Sequence, residues 1–209
     1  MNRPERVKEI IISELVNVKK KYAVPRRTAL VYEHALESSD PEEDIPDYPV
    51  NVFLSREGYF KKITPQSLRM SSEQKYKEGD GAFLSWECGN RDELLVFTDK
   101  QQCYKTRMSD FDDAKASVLG DYLPTKLGFD EGESFVWACV PGDYSGNLLF
   151  FFQNGKAARV ELSGYQTQTR RKRLTGAYSD KSPLVTAYLL REEMEMAVWS
   201  TEGRALIFH

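Results

Sequence analysis

At 209 residues, with 41% hydrophobic content and a formal net charge of −3, the chain is long enough for a substantial core but lacks the basic excess usual in nucleic-acid binders. No run of about eighteen apolar residues occurs, and the start lacks the charged, apolar and small-residue order of a signal peptide, so no membrane partner is implied and a cytoplasmic location is expected. Three widely separated cysteines, Cys88, Cys103 and Cys139, suggest neither a disulfide framework nor a zinc site and read as free core thiols.

Val7, Ile11, Leu15, Val18 and Tyr22 recur at spacings of three and four, with glutamates early and Lys19, Lys20 and Lys21 late. This pattern predicts an amphipathic helix whose charge order suits its dipole, ending near Pro25. Residues 37–49 combine three prolines with six acids and no periodic apolar face, so they read as an extended, solvated linker and a domain boundary.

Beyond residue 50 the apolar period shortens to two and a repeat appears. Phe53-Leu54-Ser55-Arg56-Glu57-Gly58, Val96-Phe97-Thr98-Asp99-Lys100-Gln101 and Phe151-Phe152-Gln153-Asn154-Gly155 each read as a strand entering a tight turn. A basic residue follows four positions after each turn, as Lys62, Lys105 and Arg159. Val198-Trp199-Ser200-Thr201-Glu202-Gly203 is a fourth, weaker copy, with Ile207 in that place and its positive charge at Arg204. Apolar anchors Leu68, Phe111 and Tyr165 keep the same register, and Phe83, Phe135 and Leu184 open a further apolar stretch before the next turn. The turn positions lie 43, 54 and 48 residues apart, the length of one blade of about four strands, which predicts a mainly β, propeller-like array.

Residues 1–49 hold eight Lys/Arg against ten Asp/Glu and residues 191–209 two against four, leaving 19 against 18 between them. Any DNA affinity must come from a basic face and be sharply salt-dependent. The register predicts that Lys62, Lys105 and Arg159 line one rim, where successive cations meet phosphates without reading bases. Arg170-Arg171-Lys172-Arg173 is the densest cluster and the strongest candidate contact, with Thr167 and Thr169 beside it. Lys61, Lys75, Lys77 and Arg107 complete the candidate set. His34 and His209 are the only histidines, so no Ser-His-Asp arrangement or histidine metal site forms in the repeat, and Asp110, Asp112 and Asp113 lack the pattern of a calcium loop. No Gly-rich phosphate loop followed by Lys-Ser/Thr is present, so ATP is not expected to bind.

The hairpin Phe53-Leu54-Ser55-Arg56-Glu57-Gly58-Tyr59-Phe60-Lys61-Lys62-Ile63 resembles the blade signature in the A subunits of bacterial type IIA topoisomerases, DNA gyrase and topoisomerase IV. Glu14-Leu15, Lys19-Lys20-Lys21-Tyr22 and Pro25-Arg26-Arg27-Thr28 look like the close of the coiled-coil helix in those subunits. The resemblance implies a helix end and exit segment over 1–36, then the linker, then a partial β-pinwheel over 50–209 of about three and a half blades that exchange strands with their neighbours. It further implies contact with double-stranded DNA, catalysis in a separate breakage-reunion domain, and ATP and Mg handled only by the complete enzyme with its A-subunit core and B subunit, next to the nucleoid. Where gyrase carries its glutamine-, arginine- and glycine-rich box, this chain reads Gln74-Lys75-Tyr76-Lys77-Glu78-Gly79-Asp80-Gly81, keeping only Gln74, Gly79 and Gly81. The resemblance therefore points to a topoisomerase IV-like or diverged gyrase subunit. Four turn signatures, the last close to His209, fall short of a six-bladed gyrase array and imply an open array or a chain cut short. From the residues alone, the alternative is a propeller-like module that binds protein rather than DNA.

Overall fold

The computed structural model describes residues 4–24, 45–71, 73–167, 172–199 and 201–208. The chain divides into two compact units, 1–44 and 45–209. In the first, α1 (Pro4–Tyr22) carries the expected charge order, with Glu5 in its first turn and Lys19, Lys20 and Lys21 in its last, and buries none of its residues. Among the described residues no helix is long and apolar enough to cross a membrane.

The second unit is built on four hairpins: β1 (Pro49–Ser55) with β2 (Tyr59–Ile63), β4 (Glu93–Thr98) with β5 (Gln102–Arg107), β8 (Asn147–Phe152) with β9 (Ala157–Glu161), and β12 (Met196–Trp199) with β13 (Ala205–Phe208). Each turn needs one residue with positive φ. Glycine supplies it in three, whereas Gln101 takes φ 55 in the second, held there by a bond from Ala177 N–H to its carbonyl.

After each of the first three hairpins the chain returns to pair with that hairpin's first strand, as β3 (Ala82–Gly89) on β1, β7 (Phe135–Cys139) on β4 and β11 (Leu184–Leu190) on β8. The sheet orders are β3-β1-β2-β6, β10-β5-β4-β7, β11-β8-β9 and β12-β13. β6 (Asp121–Tyr122) and β10 (Arg173–Thr175) follow the next blade's hairpin in sequence yet complete the blade before it, which is the strand exchange of a β-pinwheel. Two short helices, α2 (Pro65–Met70) and α3 (Leu123–Leu127), lie in the connections.

The core sits between blades, and β4 shows why its sequence is continuously apolar. Leu94 and Val96 enter a cluster with Val50, Val52, Leu54 and Phe60 of the first blade, while Leu95 and Phe97 enter a second cluster with Leu148 and Phe150 of the third. A sheet covered on both faces has no solvent face to alternate with. Phe97 packs edge-on to Phe150 and Tyr165 at centroid distances of 5.5 and 5.4 Å. The anchors Phe111 and Tyr165 are buried as expected, and Leu68 on α2 is half-buried. All three cysteines are free, and burial pushes the Cys88 and Cys139 thiols up to about 12.

Candidate nucleic-acid interface

Two of the three register cations, Lys62 and Lys105, are turned into the fold. Lys62 is 3% exposed: its Nζ donates to Asn90 Oδ1 at 2.7 Å, lies 3.2 Å from Asp113 and sits 5.7 Å above the Tyr48 ring. Lys105 repeats the arrangement one blade on. Its Nζ donates to the Tyr165 carbonyl at 3.2 Å and to Thr167 Oγ1 at 3.3 Å, 3.7 Å from Glu93 and 5.2 Å above the Tyr144 ring. Asn90 and Tyr144 come from the connection to the next hairpin, and Asp113, Tyr165 and Thr167 from the segment that follows that hairpin, so each lysine ties its blade to the next, while Tyr48 and Glu93 belong to the lysine's own blade.

A tyrosine completes each tie: Tyr48 donates to Asp113, and Tyr144 donates to Glu93. Burial first, and the carboxylate partner second, raise both phenols above their ordinary value. Arg159 is the open version, pairing with Glu193 at 2.9 Å with both side chains about half exposed. Lys62 and Lys105 are thus occupied within the fold, where a lysine stem spans buried apolar surface and its ammonium is satisfied inside.

Lys61, on the opposite face of β2, is 2% exposed. Its Nζ donates to the carbonyls of Lys75 at 2.9 Å and Ala116 at 3.3 Å, 5.0 Å from the Tyr76 ring, and burial lowers its pKa. Arg173 opens β10 with its guanidinium bonded to Asp130 and Gln102 and 5.5 Å from the Tyr104 ring. Bonds from Arg173 and Gln102 hold the Asp130 carboxyl below its ordinary range. Beside it the buried Glu133 accepts from Thr98, from Tyr104 at 2.8 Å and from Asp130 N–H at 2.8 Å. Arg107 ends β5 half-buried, its backbone N–H donating to Asp110. Lys172 is exposed and lends its carbonyl to Lys105 N–H at 2.8 Å; Thr169, Arg170 and Arg171 lie outside the described residues.

The segment at the place of the glycine-rich box docks on the tip of the first hairpin. Arg56 N–H donates to the Gly81 carbonyl at 3.1 Å, Glu57 N–H to Asp80 Oδ1 at 3.2 Å, and Lys77 pairs with Glu57 at 2.7 Å. Burial would raise the Asp80 carboxyl, but bonds from Ser55 and from the Gly81, Glu57 and Arg56 N–H groups outweigh it and lower its pKa. Lys75 is exposed, Gln74 half-buried, and Gly79 has φ +85 with nothing near its α-carbon side.

A second set of cations, mostly missed by reading four positions past each turn, sits in the turns themselves. Arg56, Lys100, Lys156 and Arg204 are all exposed, one per hairpin, each within two residues of the turn's positive-φ position. Among the described residues no group of three or more His, Cys, Asp or Glu side chains is placed to hold a metal. A polar cleft of about 660 Å³ beside β9 is lined by Tyr144, Asn147, Arg159, Glu161 and Ser163 among others.

No family model matches the chain. Its sequence is similar to the A chain of DNA topoisomerase 4 from Bacillus subtilis, 26% identical over 100% of this chain and 25% of the relative, and to the A chain of DNA gyrase from Borrelia hermsii, 21% identical over 100% and 27%. The chain therefore spans about a quarter of the length of these curated relatives. Its structure resembles the C-terminal domain of DNA topoisomerase IV, with TM-score 0.67 and 25% identity over 78% of this chain and 52% of that one. It also resembles the E. coli ParC C-terminal domain, with TM-score 0.58 and 15% identity over 77% and 64%.

Proposed function

We propose that this chain, homologous over its full length to the A subunits of type IIA DNA topoisomerases and folded as their C-terminal β-pinwheel, is a non-catalytic DNA-binding region. In the complete enzyme it places duplex DNA for an ATP-dependent change of topology, with strand cleavage in the A-subunit core and ATP and Mg handled with the B subunit. The observation that carries the reading is the joint likeness of sequence and fold to those subunits.

The charge balance supports binding of moderate strength. Residues 50–190 hold 19 Lys/Arg against 18 Asp/Glu. Lys61, Lys62, Lys105 and Arg173 are already occupied within the fold. The exposed turn cations Arg56, Lys100 and Lys156, together with Lys75, Lys172 and the Arg170-Arg171 pair, remain as candidate phosphate contacts. The eroded box favours a topoisomerase IV-like or diverged gyrase role, since Lys77 is paired with Glu57 and Asp80 occupies a place between its glycines. Mixing the protein with relaxed plasmid, followed by a nicking-closing enzyme, tests both parts. The plasmid should be retarded on a gel without a change in linking number. Absence of retardation at low ionic strength overturns DNA binding, and a shifted linking number overturns the non-wrapping assignment.

A further inference from the structure

We infer that a second copy of this chain pairs with the outer edge of β9, antiparallel about a two-fold axis at Val160, so that Arg159 of each copy lies opposite the partner's Glu161. The inference concerns association of the chain with itself and does not depend on the DNA-binding reading.

The edge is of a kind that accepts a strand. In the first blade β6 pairs with the outer edge of β2, and in the second β10 pairs with that of β5. In the third the sheet order ends at β9, and among the described residues no strand lies beyond it. The polar cleft lined by Arg159, Glu161 and Ser163 opens beside it, so the edge faces open space. A regular edge with unpaired N–H and C=O groups is a template for another chain, and bulges or prolines blunt it. The strands that close the sheets on the other side, β3, β7 and β11, each carry a register irregularity against their neighbour. β9 has none against β8 and contains no proline.

The bonds β9 already makes fix which groups it offers. Phe152 N–H donates to the Lys156 carbonyl at 2.9 Å and Leu162 N–H to the Gly146 carbonyl at 3.0 Å, so the even-numbered residues bond to β8. Alternation leaves the backbone groups of Ala157, Arg159 and Glu161 on the outer side. Lys105, which stands in the second blade where Arg159 stands in the third, uses that outward N–H on the Lys172 carbonyl just ahead of β10.

Two antiparallel copies of β9 with outward residues opposed can set Arg159 against the partner's Ala157, Arg159 or Glu161. The first register pairs no charges and the second opposes like charges, whereas the third forms an Arg–Glu pair on each side of the axis. Opposite charges directly across a ladder stabilise it and like charges weaken it. A second copy is therefore the occupant whose complement β9 itself carries. Arg159 can turn to meet it, because its pair with Glu193 joins two half-exposed side chains and holds it only weakly.

Sedimentation velocity over a concentration series tests the pairing. A five-residue edge buries little surface, so wild type should form a weak dimer that grows with concentration. Arg159→Glu or Glu161→Arg turns both attractive pairs into repulsive ones and should raise the dimer dissociation constant about tenfold or more. Both side chains are exposed, so the unfolding midpoints should stay close to that of wild type. An equimolar mixture of the two single variants brings Glu opposite Arg at both places and should dimerise as wild type does, as should R159E/E161R alone. A wild-type chain that stays monomeric overturns the inference. So does a dimer that neither reversal weakens, since another surface then holds it, and so does a mixture that fails to restore what the single variants lose.

Discussion

Replacing Lys62 by alanine is expected to destabilise the β unit by about 2–3 kcal/mol, lowering its unfolding midpoint by roughly 4–12 °C. The ammonium is 3% exposed and satisfies the buried oxygen of Asn90, whose Nδ2 is already used on the Pro46 carbonyl at 2.9 Å. Its removal strands a buried acceptor, and that desolvation penalty dominates. The ion pair itself contributes less, because Asp113 is 41% exposed and screened by water. Lys105→Ala should act in the same direction, by taking the donor from the Tyr165 carbonyl. Neither change should alter the salt dependence of DNA binding in the protein that remains folded. An unaltered midpoint together with a flatter salt slope would make these lysines phosphate contacts after all.

Gly120→Ala is expected to be more damaging still. Gly120 stands immediately before β6, where the chain crosses β2 to deliver the exchanged strand. A Cβ there would lie 2.2 Å from the Phe60 carbonyl oxygen and 2.5 Å from Lys61 Cγ, at φ +89. Backbone cannot retreat as a side-chain end can, so the substitution combines a steric clash with a left-handed conformation and should cost about 3 kcal/mol or more. Gly128→Ala isolates the conformational part. That residue ends α3 with φ +68, and a methyl group placed on it would meet no atom within 4 Å, so its cost should be about 1 kcal/mol. Urea unfolding of the two variants checks the difference, and hydrogen exchange at Asp121 and Tyr122 should rise selectively in the first. Equal costs would mean that the crossing adjusts without strain.

Much of the architecture is legible in the amino acids because its signals are local. Turn residues at 58, 101, 155 and 203, and the anchors Phe111 and Tyr165, mark each unit within a few positions of one another. The exchanged strands carry no such signal. Asp121-Tyr122 and Arg173-Leu174-Thr175 are too short to show a period, and they are strands only because the preceding blade presents an open edge to them. The cations of the candidate interface are harder to read for a related reason. A lysine in an alternating stretch looks solvated, and nothing near Lys62 in sequence reveals Asn90 or Asp113, which the fold brings from 28 and 51 positions away. The turn cations are visible in the sequence, but the fourth residue past each turn draws attention away from three of them.

Binding to duplex DNA measured by fluorescence anisotropy across a salt series tests the central claim most directly. Affinity should be moderate and fall steeply with salt, and R170A/R171A/K172A should weaken it and flatten the log–log slope by about 2–3, Arg173 being kept because it is bound to Asp130. Binding that ignores salt, or none at low ionic strength, would contradict a DNA-holding role and favour a partner of another kind.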